Sequence, residues 1–280
     1  MKTAPFGWTG VAVPLVGQGT WHMGESRRRK DEEVAALRLG LELGLVHIDT
    51  AELYGQGGAE EVVAEAMRGF PRKEVFLVSK VLPQHASYQG TIRAAEASLR
   101  RLRTDYLDLY LLHWPGRYPI EETMGAMAEL VRQGKIRFAG VSNFDVTELR
   151  EAVERSPVRI ACNQVLYNLT HRGIELDLLP FCRRHEIAVV GYTPFGGFPT
   201  RGVGFRVLEG IARRHGKTPR QVVLRFLTRL PGLFAIPKAA KLEHVRENAG
   251  ASDFDLTEED IREIDRVFPV PPRPVPLAMA

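Results

Sequence analysis

Two kinds of apolar pattern alternate along this chain. Short, nearly continuous apolar runs fall at 45–48, 75–78, 107–112, 136–141, 160–165, 187–192 and 233–236. Near-continuous apolarity predicts strands covered on both faces, as in a parallel sheet. The segment 11–21 holds two short strand-like pieces around Pro14, read as a plug hairpin followed by a first barrel strand at 16–20. Between the runs, apolar residues recur at the helical period. Val34, Leu37 and Leu41 mark one helix over 31–43, and Ile92, Ala95, Leu99 and Leu102 mark another over 89–102. Further helices are predicted at 121–133, 145–154 and 175–185.

Helix starts are also visible. Asp145 with Glu148 three residues on has the form of a capping box. Thr218 before Pro219 opens a helix to about residue 229, and Thr257 with Asp260 opens one over 258–268. The proline-rich stretch 269–276 cannot hold a regular helix and is expected to lie as an extended arm over the rest. The alternation predicts an α/β fold, a single (β/α)8 TIM barrel over residues 1–280 with an N-terminal β-hairpin plug and extra C-terminal helices. An open dinucleotide-binding sheet is disfavoured, because Gly17-Gln18-Gly19 lacks the third glycine of that fingerprint. Gly216-Lys217-Thr218 has the end of a phosphate-loop motif, but its upstream glycine, Gly210, is one residue too far away.

Composition narrows the class only a little. The apolar and charged fractions, 44% and 26%, exclude a disordered or fibrous chain. The net charge of +4 is mild, and basic runs such as 27–30 sit among acidic residues, so a solvated face is expected rather than nucleic-acid binding. Cys162 and Cys182 belong to no CxxC pair or His/Cys cluster, so no metal is expected, and a reduced, cytoplasmic compartment is the simpler reading. No apolar leader segment or membrane-length run is visible, and a monomer acting on a small molecule is expected.

Polar residues at strand ends carry the chemistry, since a parallel barrel delivers strand ends to one rim. Asp49, Lys80 and His113 close three successive apolar runs, and Tyr54 lies five residues beyond Asp49. A free phenol is too weak an acid for catalysis near neutrality. A nearby ammonium lowers its pKa, and an ammonium buried there needs a carboxylate partner. A neutral His113 can donate a hydrogen bond to a carbonyl oxygen. Together these residues suit hydride transfer to a carbonyl followed by protonation of the alkoxide.

These residues sit in motifs that resemble the aldo-keto reductase family. The motifs are His47-Ile48-Asp49-Thr50-Ala51-Glu52-Leu53-Tyr54-Gly55, Val78-Ser79-Lys80-Val81 and Leu111-Leu112-His113-Trp114-Pro115. Gly140-Val141-Ser142-Asn143-Phe144, Asn163-Gln164-Val165-Leu166-Tyr167-Asn168 and Ile236-Pro237-Lys238 follow in the family's order. The chain looks most similar to compact bacterial members that reduce methylglyoxal or 2,5-diketo-D-gluconate.

The resemblance implies that Asp49, Tyr54, Lys80 and His113 form a catalytic tetrad with Tyr54 as general acid. It implies NADPH as cofactor, with NADH also usable. Ser142, Asn143 and Gln164 would bind the nicotinamide carboxamide, and Tyr192 would stack on its ring. Gly19 and Thr20 would border cofactor and substrate, and Trp21, His113 and Trp114 would line the substrate pocket. Lys238 would meet the adenosine 2′-phosphate, with Glu247 and Asn248 near the adenine. Two positions depart from the family: Ala239 stands where a hydroxyl residue is usual, and His244 where an arginine is usual. Both weaken the preference for the phosphorylated cofactor. The other reading of the same motifs is a nicotinamide-binding accessory subunit with little turnover.

Overall fold

The computed structural model describes residues 1–279. Eight parallel strands form one curled sheet: β3 (Gln18–Gly19), β4 (His47–Asp49), β5 (Phe76–Val81), β6 (Leu107–Leu112), β7 (Ile136–Ser142), β8 (Ile160–Leu166), β9 (Ala188–Tyr192) and β10 (Leu233–Ala235). Each pairs with its neighbour in sequence order. The ends of the sheet meet. Val16 bridges Ala235, Gly19 bridges Lys238, and Gly17 N–H donates to Ala235 O at 2.8 Å. A Cβ on Gly19 would lie 2.7 Å from Ile236 O, so this closure needs glycine there. The result is the predicted (β/α)8 barrel.

The outer ring holds α1 (Lys30–Glu42), α2 (Gly58–Ala66), α3 (Tyr88–Leu102), α4 (Ile120–Arg132), α5 (Val146–Arg155), α6 (Leu178–Arg184), α7 (Gly202–His215), α8 (Pro219–Leu227), α9 (Leu242–Ala249) and α10 (Glu258–Val267). The expected capping boxes at Asp145/Glu148 and Thr257/Asp260 are formed, and Thr218/Gln221 makes another. Gly216 ends α7 in a left-handed conformation and Thr218 caps α8, so that triplet is a helix junction and not a phosphate loop.

Three expectations need correction. The plug hairpin is built further upstream, from β1 (Thr3–Pro5) paired antiparallel with β2 (Ala12–Pro14). The helix expected over 175–185 is a 3-10 turn, Gly173–Glu175, followed by α6, because the Asp177 carboxylate accepts from Leu178 N–H and restarts the helix. Lys80 lies inside its strand rather than after it.

The plug closes the barrel floor. Phe6 is fully buried, with its ring 4.8 Å from Phe76 and 5.0 Å from Phe234. Burying a phenylalanine in this way contributes about 1.5–3 kcal/mol. Val78, Leu109, Leu111 and Val190 share this inner cluster, while Leu77, Tyr110 and Leu112 belong to the larger cluster that includes the helices. Alternate strand residues thus serve two cores, which is why the runs read as nearly continuous apolar segments.

His47 sits in this inner layer, fully buried beside Phe6 and Phe76, with neither ring nitrogen hydrogen-bonded. Burial, then the nearby Lys80 charge, lowers its pKa to about 3. The unfolded chain therefore binds a proton between pH 6.5 and about 3 that the folded chain refuses. Stability must fall as pH falls through that window, by about 1.4 kcal/mol per unit from this group. His47→Asn is expected to remove that share. Chemical denaturation at pH 6.5 and 4.5 tests it, and equal pH slopes in the variant and the parent chain contradict it.

Candidate active site

The C-terminal ends of the strands bring the polar residues together. Asp49 ends β4, Lys80 is the penultimate residue of β5, and His113 follows β6. Lys80 is completely buried, and its Nζ donates to Asp49 Oδ2 at 2.6 Å, Thr50 O at 3.0 Å and the Tyr54 hydroxyl at 3.2 Å. Three acceptors match the three protons of an ammonium. The Tyr54 ring stands edge-on to His113 with centroids 5.6 Å apart.

A second group continues the set. Gln164 Nε2 donates to the other Asp49 oxygen, Oδ1, at 2.7 Å, which leaves Gln164 Oε1 available. Ser142 pairs directly with Gln164 in the β7–β8 ladder, and its hydroxyl donates to Gln164 O at 2.9 Å. Asn143 adopts a left-handed backbone, φ 62°, which asparagine tolerates better than most residues. That turn lets its amide donate to His113 O at 3.0 Å and accept from the Tyr192 hydroxyl at 2.8 Å.

The protonation states follow from burial and the lysine. Burial, with Lys80 adding to it, lowers His113 to about 2, so its imidazole is neutral near pH 7. Burial acts to lower Lys80, but Asp49 and Tyr54 outweigh it, and the group stays charged. For Tyr54, burial raises the pKa, Lys80 lowers it and Asp49 adds to the rise. The net value lies above the ordinary 10.0. The expectation of a lowered phenol pKa is therefore corrected: the lysine acts in the expected direction, and desolvation is larger.

A cavity of about 540 Å³ opens over this set. Asp49, Tyr54, His113, Ser142, Asn143, Gln164 and Tyr192 all line it. Gly19, Thr20, Trp21, Trp114 and Lys238 line it as well. His244, Glu247 and Asn248 lie beyond it on α9. The His244 side chain is 47% exposed, and its nearest acid is Glu243 at 3.7 Å. Glu247 is engaged with α8, accepting from the Thr218 hydroxyl at 2.6 Å, and Asn248 is buried.

The pattern did not point to Leu53, Phe195, Ile236 or Met279, which also line the cavity. Leu53, Trp21 and Met279 are apolar yet 42%, 46% and 53% exposed, which gives the mouth an apolar rim. Met279 arrives on the extended C-terminal arm, whose course over the barrel was expected. Lys241, the uncapped residue before α9, adds a second exposed cation at that helix start. No helix among the described residues is long and apolar enough to cross a membrane.

A closed parallel barrel with a buried Asp–Lys–Tyr chain and a neutral histidine at its C-terminal rim defines the class as a barrel enzyme. Comparison with known proteins makes it specific. The profile of the Aldo/keto reductase family matches residues 15–268. Methylglyoxal reductase YeaE of Escherichia coli (strain K12) is 48% identical over 265 residues, 93% of each chain. Glyoxal reductase of Bacillus subtilis (strain 168) is 35% identical over 258 residues, 91% of this chain and 89% of that one. A crystal structure of an aldo-keto reductase from Klebsiella pneumoniae in complex with NADPH superposes with a TM-score of 0.94 at 48% identity, covering 100% of this chain and 99% of that one. The chain belongs to the aldo/keto reductase family and is an oxidoreductase.

Proposed function

We propose that this chain uses NADPH to reduce small aldehydes and ketones, including 2-oxoaldehydes such as methylglyoxal, to alcohols. The observation that carries the reading is the Tyr54 hydroxyl 3.2 Å from an ammonium that a buried carboxylate holds in place. The names of the relatives, a methylglyoxal and a glyoxal reductase, support the substrate class.

The donor set fits a nicotinamide dinucleotide. Gln164 Oε1 and the remaining lone pairs of Ser142 and Asn143 are acceptors for a carboxamide N–H, and Tyr192 offers a flat apolar face. Gly19 and Thr20 flank the same space. Lys238, aided by His244, would meet the 2′-phosphate, with Glu247 and Asn248 toward the adenine. Bound there, the reduced cofactor supplies the hydride to the carbonyl carbon.

The chain's own residues do the rest. Trp21 and Trp114 hold the body of the substrate at the rim. The neutral imidazole of His113 donates one hydrogen bond to the carbonyl oxygen, which draws charge onto that oxygen. Tyr54, protonated near neutrality, gives its proton to the same oxygen. The phenolate left behind is stabilised by Lys80, and Asp49 keeps Lys80 charged.

Purified protein is expected to oxidise NADPH when given methylglyoxal, glyoxal or simple aromatic aldehydes. Measured absence of turnover with intact NADPH binding would favour an accessory role instead. NADH is expected to work more weakly but measurably. Ala239 and His244 supply fewer fixed phosphate contacts than a hydroxyl residue and an arginine would, since arginine grips phosphate through two parallel hydrogen bonds. Michaelis constants for both cofactors test this, and a tenfold advantage for NADH overturns the preference.

A further inference from the structure

We propose that Glu52 is a positioning residue, whose carboxylate sets the spacing between Tyr54 and Lys80 by pinning the Tyr54 loop to the end of β5. This inference rests on the roles proposed above for those two residues. Strand β4 ends at Asp49, while β5 continues to Val81. The loop after β4 keeps loose company with β5: Thr50 N–H donates to Val78 O at 2.9 Å, and Glu52 N–H donates to Lys80 O at 3.4 Å. At the next step there is no backbone partner, and Leu82 N–H donates to Glu52 Oε1 at 2.7 Å. A side chain thus completes a ladder that the backbone has abandoned.

The connection is short and largely out of water. The Glu52 side chain is 9% exposed, and the same oxygen meets His85 Nδ1 at 3.0 Å. Tyr54 lies two residues after Glu52, and Lys80 two before Leu82. Sliding of 52 against 82 therefore carries directly to the contact of 54 with 80. That contact, at 3.2 Å, is at the long limit of an ordinary hydrogen bond and has little slack. The Pro83–His85 turn that Glu52 holds also packs on the loop after His113, because a Cβ on Gly116 would lie 2.6 Å from Pro83 Cβ. One carboxylate ties the loops behind three of the four polar groups.

The test is a series at one position: Glu52→Ala, Glu52→Asp and Glu52→Gln, assayed with NADPH and methylglyoxal beside Tyr54→Phe. Glutamine keeps an acceptor at full reach, whereas aspartate keeps the charge but falls one methylene short. Glu52→Ala and Glu52→Asp are expected to lower kcat by about 10–100-fold, the scale of an ångström's misplacement. The KM for NADPH should stay within about twofold, and Glu52→Gln should recover most of kcat. If the alanine variant does not fold, the aspartate–glutamine comparison decides alone. The proposal is overturned if aspartate matches or exceeds glutamine, if all three stay within twofold of the parent chain, or if KM rises in step with the loss of kcat. Turnover surviving in Tyr54→Phe sinks the underlying reading instead, so the two failures are told apart.

Discussion

Tyr54→Phe is expected to lower kcat for carbonyl reduction by about 10²–10⁴-fold, the range of a positioned general acid, while leaving NADPH binding within about twofold. The substitution removes one oxygen and little else. The ring keeps its edge contact with His113, and Lys80 Nζ still lies 4.8 Å from the ring centroid. Lys80 also retains Asp49 and Thr50 O as acceptors, so the buried ammonium is not stranded. A large loss of turnover in a folded, cofactor-binding variant therefore isolates the proton. The same assignment fixes a pH dependence. A general acid must be protonated, so the rate of reduction falls as pH rises through the phenol's pKa. Because burial places that value above 10.0, reduction should hold steady through pH 9. Stopped-flow turnover and cofactor titration by fluorescence check both parts. A variant keeping more than a tenth of the parent rate rules Tyr54 out as the donor.

The legible parts of this fold are those in which one local rule decides. Strands buried on both faces are apolar along most of their length, so seven of the eight announced themselves, and a polar residue closing such a run marked the rim. Capping boxes depend on residues three apart, which is why those at Asp145 and Thr257 were readable. The misses share a non-local cause. Strand β1 has three residues, and it holds its place through β2 and through Phe6 in the barrel floor. Lys80 belongs within β5 because its inward position offers Asp49, and no strand propensity foretells a buried ammonium. Met279 and Glu52 reach the site or its supports through contacts set by tertiary packing, which periodicity does not encode. His47 was visible only as part of a motif; its burial without a partner is a property of the closed barrel.

Asp49→Asn tests the electrostatic core of the site through stability instead of rate. Asp49 and Lys80 form a buried pair at 2.6 Å with side chains 2% and 0% exposed. The parent carboxylate accepts from Lys80 on one oxygen and from Gln164 on the other. Asparagine has the same shape but no charge, so the buried Lys80 ammonium is left without its counter-ion. Breaking a buried pair while leaving its cation in place typically costs about 3–5 kcal/mol. A drop in Tm of about 5–15 °C is expected. The pH dependence should also change sign. In the parent chain Asp49 and Tyr54 hold the Lys80 pKa above its ordinary value, so its contribution is complete at neutral pH and is lost only as pH rises through that raised value. Without Asp49, burial dominates and draws the Lys80 pKa below that of the unfolded chain. The folded variant then binds fewer protons than its unfolded form, and its stability rises between pH 7 and pH 9.5. Adding Lys80→Met removes the stranded charge and should restore much of the loss, although neither variant regains turnover. An Asp49→Asn chain within 1 kcal/mol of the parent and indifferent to pH over that range would mean that water, and not Asp49, compensates the ammonium.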